Sequence, residues 1–249
     1  MKLLKVTTHD LQSPWGMGFQ YVIDKKEVCG NFDTSVKKCA PGFYATDIEG
    51  LPYTFRAKRG DRVFDCEVGG DRKEFNPYRR RYSEFTLLDR EYTHEELKAM
   101  AEAEEQRLGY RLSHAIFPVN PLEMTAPEVT PEIIALLKEW ASVYKSVRDS
   151  AHDSVYNSVR ESVGNSVWDS VLASVRAYIG WIFPNIKEWK YINHEPCVYP
   201  FESGAKLWLM GFVPSYDGIT WRLHAGKNAS VVYEINNQAL LARQEKEKE

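Results

Sequence analysis

The sequence predicts an α+β protein with a β-rich N-terminal domain, a long central repeat helix and a small C-terminal α/β module. Three observations support this fold class. Segments of β-type residues alternate with turn residues before residue 90, a strict period of four residues occupies the middle of the chain, and strand-and-turn patterns return after residue 210. Hydrophobic residues make up 43% of the 249 residues, which excludes a wholly disordered chain.

The first domain is expected to span residues 1–117. Its clearest strand is 62–68, which alternates in polarity and is followed by Gly69-Gly70, a pattern typical of a strand that ends in a turn. Thr93 and Glu96 have the spacing of a capping box, which predicts a helix at about 94–108. The other strand candidates of this domain are the segments 2–8, 19–23, 43–46 and 85–88.

A proline-rich linker is expected to follow the first domain, because Pro118, Pro121 and Pro127 within it and Pro131 directly after it disfavour a regular helix. At its end, Thr130 and Pro131 suit the start of a helix that runs into the repeat. Asp217-Gly218 is a hairpin signal between two strand-like segments. The expected divisions are the linker 118–130, a mainly helical repeat segment 131–183, an α/β module 184–239 and a charged tail 240–249.

The repeat consists of nine serines at four-residue spacing, from Ser142 to Ser174, and all but one are followed by valine. In a helix, four residues advance about 400°, so the valine stripe turns about 40° per tetrad and cannot face one straight partner. The helix must therefore wrap, contact several neighbours in turn, or break, with Gly164 as the expected position of a break. Repeats often form association surfaces, and the predicted surface here consists of Val143, Val147, Val155, Val159, Val163, Val167, Val171 and Val175.

A β-solenoid is the alternative structure for residues 142–176. In an extended chain a period of four keeps every valine on one face, and the Asp-Ser and Asn-Ser pairs are turn formers. Such a surface would suit binding to a regular lattice or a glycan.

Most catalytic and cofactor motifs are missing from the sequence. The four cysteines form no CxxC pair, the six histidines have no ligand spacing, and there is no P-loop, GxGxxG or GxSxG motif. No cofactor and no metal site are therefore expected. The net charge of −3 argues against nucleic-acid binding, and no apolar stretch approaches the roughly 18 residues that span a membrane.

Two local features carry weaker functional hypotheses. Arg222 and His224 share one face of a predicted strand and are candidates for a small polar pocket. The run Arg79-Arg80-Arg81 could grip a phosphate, but it is more simply interpreted as a solvated loop or strand edge beside Pro77.

Two resemblances add to these predictions. The Ser-Val tetrads together with Gly42-Phe43-Tyr44, residues 177–180 and the Thr220–His224 segment resemble a group of phage and prophage-type proteins, which implies a viral or mobile-element origin and no particular activity. Separately, Gly42-Phe43-Tyr44-Ala45-Thr46 is similar to a segment of ADP-ribosyltransferase-like domains. That similarity implies an NAD site lined by Gly42, Phe43 and Tyr44, with Glu67 or Glu84 as catalytic candidates.

The sequence thus predicts a non-enzymatic structural or interaction protein that associates with itself or another protein through the repeat. It is expected in the cytoplasm of a host cell or on a virion, without a membrane or nucleic-acid partner. An NAD-dependent ADP-ribosyltransferase-like enzyme and a lattice- or glycan-binding solenoid are the alternatives.

Overall fold

A computed structural model describes residues 3–14, 19–35, 41–76, 79–155, 163–188, 194–195 and 197–242, and it describes the side chains of these residues except at 75–76, 79, 145–155 and 163–169. The fold is mixed α+β, with antiparallel sheets. The chain forms two compact units, Met1–Pro118 and Val119–Glu249.

The first unit is built on a five-stranded antiparallel sheet in which β1, β4, β5 and β2 are neighbours in that order and β3 also pairs with β5. A bridge between Leu4 and Thr46 joins β1 to the residue after β3, so the sheet curls back on itself. The elements are β1 (Leu4–Thr7), β2 (Lys26–Val28), β3 (Phe43–Ala45), α1 (Leu51–Thr54), β4 (Arg62–Asn76), β5 (Arg79–Glu91), α2 (His94–Leu108) and α3 (Leu112–Ile116).

The strand ending predicted at Gly69-Gly70 is wrong, because β4 continues to Asn76. Gly70 has a φ of +67° and lies where the pairing of β4 with β5 shifts register. A Cβ there would lie 2.1 Å from the hydroxyl oxygen of Ser83. The glycine therefore forms a bulge that bends a long hairpin, and it does not form a turn.

The two faces of this sheet carry different cores. One face packs on Leu97 and Ala101 of α2 and on the residues of α3. The other, inside the curl, is rich in aromatic residues and includes Phe43, Phe64 and Phe85. The predicted helix 94–108 is confirmed together with its cap, since the Thr93 hydroxyl accepts from the Glu96 N–H and the Glu96 carboxylate accepts from the Thr93 N–H.

The second unit combines three antiparallel strands with helices that include the repeat. Its elements are α4 (Pro131–Val155), α5 (Val163–Ile182), α6 (Glu202–Leu209), β6 (Val213–Tyr216), β7 (Thr220–Ala225), β8 (Ser230–Asn236) and α7 (Asn237–Ala242). The strands lie in the order β6, β7, β8. Trp140 from α4, Ala177 from α5 and Trp221 from β7 contribute to one core, so side chains on both sides of residue 184 pack together.

The repeat is helical wherever the structure describes it. Residues 142–155 belong to α4 and residues 163–174 to α5. These residues therefore lack the extended backbone that the β-solenoid alternative requires. One continuous central helix is not shown, since residues 156–162 lie outside the described part, and Gly164 lies in the first turn of α5. Within the described residues, no helix has the length and apolarity needed to cross a membrane.

The proline-rich segment before α4 is held by aromatic side chains of the second unit. The Val119 N–H donates to Tyr178 Oη (3.0 Å), and the Val119 carbonyl accepts from Trp208 Nε1 (2.9 Å). The rings of Tyr178 and Trp208 stack, with centroids 5.9 Å apart. At the other end, residues 240–242 of the predicted tail belong to α7, and residues 243–249 lie outside the described part.

Candidate functional site

The predicted valine surface can be located in part. Three of its valines, Val143, Val171 and Val175, are half-buried. The other positions cannot be placed by side chain: Val159 lies outside the described residues, and only the backbone is described for Val147, Val155, Val163 and Val167.

Two serines of α5 whose side chains are described are inward residues of the repeat. Ser170 and Ser174 are fully buried. The Ser170 hydroxyl oxygen accepts a 2.8 Å hydrogen bond from the N–H of Tyr216, and the Ser174 hydroxyl donates to the Ser170 carbonyl (3.0 Å). Because β6 is the edge strand next to α5, Ser170 provides an acceptor for an N–H that has no neighbouring strand.

The small serine side chains also explain how a helix comes this close to a strand edge. Each serine fills little volume and still offers a hydrogen-bonding oxygen. The sequence alone could not assign this role to Ser170, because its partner lies more than forty residues along the chain.

The candidate pocket residues Arg222 and His224 lie on the more exposed face of β7, while Trp221, Leu223 and Ala225 are buried. Arg222 donates to Asp217 Oδ2 (2.6 Å), and its Nε lies 3.5 Å from Glu234. Asp217 also accepts from two backbone N–H groups. The Thr220 N–H foremost, and then Arg222, lower the pKa of Asp217 to about 2. This arginine therefore forms part of a salt-bridged turn.

His224 forms a hydrogen-bonded chain with a serine that sequence reasoning missed. Its Nδ1 lies 2.9 Å from the carbonyl of Ala229, and its Nε2 lies 2.8 Å from the hydroxyl of Ser215. In the neutral imidazole, Nδ1 must carry the proton because the Ala229 carbonyl can only accept, so Nε2 accepts from the Ser215 hydroxyl. The same arrangement activates serine nucleophiles in enzymes.

Two features of this histidine–serine arrangement oppose catalysis. Ser215 is only 1% exposed, so a substrate carbonyl cannot reach its oxygen. The N–H of the next residue, Tyr216, which could otherwise stabilise an oxyanion, donates to Ser170. Arg222 and His224 thus share a face, but each is engaged by its own neighbours.

The Gly42-Phe43-Tyr44 segment contacts a buried arginine. Phe43 is buried and stacks on Phe85, with ring centroids 5.5 Å apart. Tyr44 Oη accepts from Arg81 (3.1 Å). Gly42 has a φ of +137°, and a Cβ there would lie 2.6 Å from Arg81 Cγ, so the glycine makes room for the arginine.

The run Arg79-Arg80-Arg81 lies at the start of β5, in agreement with the strand interpretation, but the expectation that it is solvated is wrong for Arg81. Arg81 is fully buried and donates to the carbonyls of Asp33 and Ser35. Arg80 forms ion pairs with Asp47 (3.1 Å) and Glu74 (3.0 Å). Strand alternation turns Arg81 toward the inside, where the 33–35 segment surrounds its guanidinium.

Searches against protein-family models, curated proteins and solved structures each found no match to the chain. Among the described residues, no group of three or more His, Cys, Asp or Glu side chains is arranged to hold a metal ion.

Proposed function

We propose that the chain is a non-enzymatic structural or interaction protein that associates with a second copy of itself through the valine stripe of its repeat helices. Because its motifs resemble those of phage and prophage-type proteins, we also propose that it has a phage or mobile-element origin and acts in the cytoplasm of a host cell or on a virion.

One observation carries this proposal: in two tetrads of α5 the polar residues are more deeply buried than the apolar ones. The polar members, Ser170 and Ser174, are fully buried, whereas the apolar members, Val171 and Val175, are only half-buried. A helix that served only its own core would bury the valines and expose the serines. The apolar stripe is therefore available to a partner.

The direction of the stripe supports the same conclusion. At about 100° per residue, Val171, Val175 and Ile179 lie about 100°, 140° and 180° around α5 from Ser170. Ile179, at the far side from the sheet edge, is 49% exposed. The apolar stripe thus turns away from the core toward the C-terminal end of α5.

The sequence of the tetrads suits a second copy as the partner. Arginine recurs at the third tetrad position, at residues 148, 160 and 176, and an acidic residue recurs at the fourth, at 149, 153, 161 and 169. A repeat with both charges can pair with a copy of itself when the copies are shifted or antiparallel.

Sedimentation equilibrium of the whole chain tests the proposal. We expect concentration-dependent association of the wild type, and at least tenfold weaker association of Val175→Glu, because a carboxylate would be buried in the interface. Val231→Glu is the matched control, since Val231 is 49% exposed on β8 outside the repeat. Circular dichroism checks that both variants fold. A strict monomer at the highest concentration, or equal association of both variants, would contradict the proposal.

The enzyme alternative predicts that NAD binds beside Gly42-Phe43-Tyr44. The contacts described above weigh against it, because Phe43 lies in a core and the Tyr44 hydroxyl accepts from a buried arginine. Calorimetry with millimolar NAD separates the two hypotheses, since a heat of binding would favour the enzyme.

A further inference from the structure

Lys5 is a charged residue of β1 whose side chain lies inside the curled sheet of the first unit. The residue is only 4% exposed, and its ammonium lies 4.6 Å from the ring centroid of Tyr21 and 5.6 Å from that of Phe85. Its Nζ donates a 2.8 Å hydrogen bond to the carbonyl of Tyr44. An ammonium has three donors, so this one carbonyl does not satisfy it.

No carboxylate of the described residues lies within ion-pair distance of Lys5. Charged side chains are almost never buried without a partner, because the loss of hydration is costly. The Cys66 thiol is close enough to respond to the charge of Lys5, but burial raises the pKa of that thiol to about 12. The thiol is therefore neutral at physiological pH and cannot balance the ammonium.

Thr7 is a second incompletely bonded group on the same face of β1. It is fully buried, and its hydroxyl has no hydrogen-bond partner among the described residues. Residues two apart on a strand share a face. Because β1 and β3 run antiparallel from the Leu4–Thr46 bridge, the register places Tyr44, whose carbonyl binds the ammonium, level with Val6, between Lys5 and Thr7 along β1.

We propose that Lys5 and Thr7 bind a small oxyanion, either inorganic phosphate or the carboxylate of a small acid, inside the curled sheet. The oxyanion supplies the counter-charge for the ammonium and accepts a hydrogen bond from the hydroxyl. This site lies in the first unit and is independent of the repeat and of self-association.

Titration of the whole chain with phosphate, and separately with acetate, tests the site by calorimetry and thermal unfolding. Phosphate stabilises proteins in general by exclusion from their surface. The ionic strength is therefore held constant with a chloride salt, and only a saturable effect counts as binding. We expect a saturable rise in the melting temperature of the wild type with at least one of the two anions. The larger response identifies phosphate or carboxylate as the preferred group.

Three variants assign that response to the proposed residues. Lys5→Met should weaken binding at least tenfold, and Thr7→Val, which keeps the side-chain shape, at least threefold. Lys25→Met is the control, because Lys25 is an exposed lysine paired with Glu27, and it should bind like the wild type. No saturable response to either anion, or an unchanged response in Thr7→Val, would overturn the proposal even if Lys5→Met failed to fold.

Discussion

At the scale of single residues, Asp217 fixes the turn between β6 and β7. Its Oδ1 accepts from the N–H groups of Ile219 (2.9 Å) and Thr220 (2.8 Å), while its Oδ2 accepts from Arg222. Gly218, which follows it, has a φ of +99°, a conformation that favours glycine. One carboxylate thus holds both the backbone of the turn and the arginine of the next strand.

The lowered pKa of Asp217 makes the contribution of this turn depend on pH. A carboxyl group whose pKa falls from 3.8 to about 2 on folding stabilises the fold above pH 4, and that stability is lost as the pH falls toward 2. Asp217→Asn keeps an oxygen for the two N–H groups but loses the charge beside Arg222. We expect a loss of about 0.5–1 kcal/mol in the free energy of unfolding at pH 7.

Urea denaturation at pH 7, 4 and 2 measures this effect, and the difference between Asp217→Asn and the wild type should shrink toward zero at pH 2. Glu234→Gln is the control, because this glutamate is well exposed and 3.5 Å from Arg222, so its effect should be smaller. A difference that stays constant from pH 7 to pH 2 would exclude the carboxylate charge as the cause.

Individual side chains differ in how far the sequence predicts them. The alternation of β7, with Arg222 and His224 on the polar face, follows from strand geometry and is observed. The contact of His224 with Ser215 joins two strands and depends on their register, which the sequence does not show. Arg81 was expected in solvent because a run of charges is usually exposed, and only the tertiary fold shows the carbonyls that it binds.

At the scale of elements, the contact of α5 with β6 joins the repeat to the sheet. An edge strand exposes unpaired N–H groups, and the fully buried Ser170 accepts from one of them, that of Tyr216. The helix therefore stabilises the edge of the sheet through a hydrogen bond as well as through packing.

Ser170→Ala should destabilise the protein by about 1–2 kcal/mol, because it leaves the buried N–H of Tyr216 without an acceptor. Ser142→Ala is a matched control from the same tetrad register, since Ser142 is exposed, and its effect should be within about 0.5 kcal/mol of zero. Urea denaturation gives both values, and amide exchange should accelerate at Tyr216 in the first variant alone. Equal stability of the two variants would rule out the proposed role of Ser170.

Elements with local signals were the ones that the sequence predicted well. The capping box at Thr93 gave the start of α2, because both partners lie within one turn. The segment 19–23 has strand-like residues, but in the structure only Gln20 and Ile23 form isolated bridges. The length of β4 was missed because the same glycine pair can form a turn or a bulge, and the pairing partner decides which.

At the scale of the whole molecule, each unit has its own core. Leu223 is fully buried in the core of the second unit, and Leu87 is fully buried in the aromatic core of the first. The sequence indicated a division of the chain from its proline-rich segment, but it could not show that the repeat helices and the C-terminal strands pack into one core.

Leu223→Ala should reduce the stability of the second unit by about 2–5 kcal/mol, the usual cost of a cavity at a buried leucine. Hydrogen exchange should accelerate across β6, β7 and β8 and stay unchanged in β4 and β5. Leu87→Ala is the reciprocal variant and should give the opposite pattern. Faster exchange in both units after either substitution would show that they unfold as one.

The hydrogen bond between Ser170 and the β6 edge has a consequence for how the repeat can change in length. Each added tetrad lengthens a helix by about 6 Å and rotates it by about 40°. A tetrad inserted after Ser170 would move Ala177 and Tyr178, which are buried in the second unit, out of register with their neighbours. Tetrads gained or lost before Ser170 leave that end of α5 in place. The start of the repeat is held as well, since Trp140 and Ala141 are buried in the same core and Tyr144 packs against it. We therefore expect copy number to vary only between Tyr144 and Ser170.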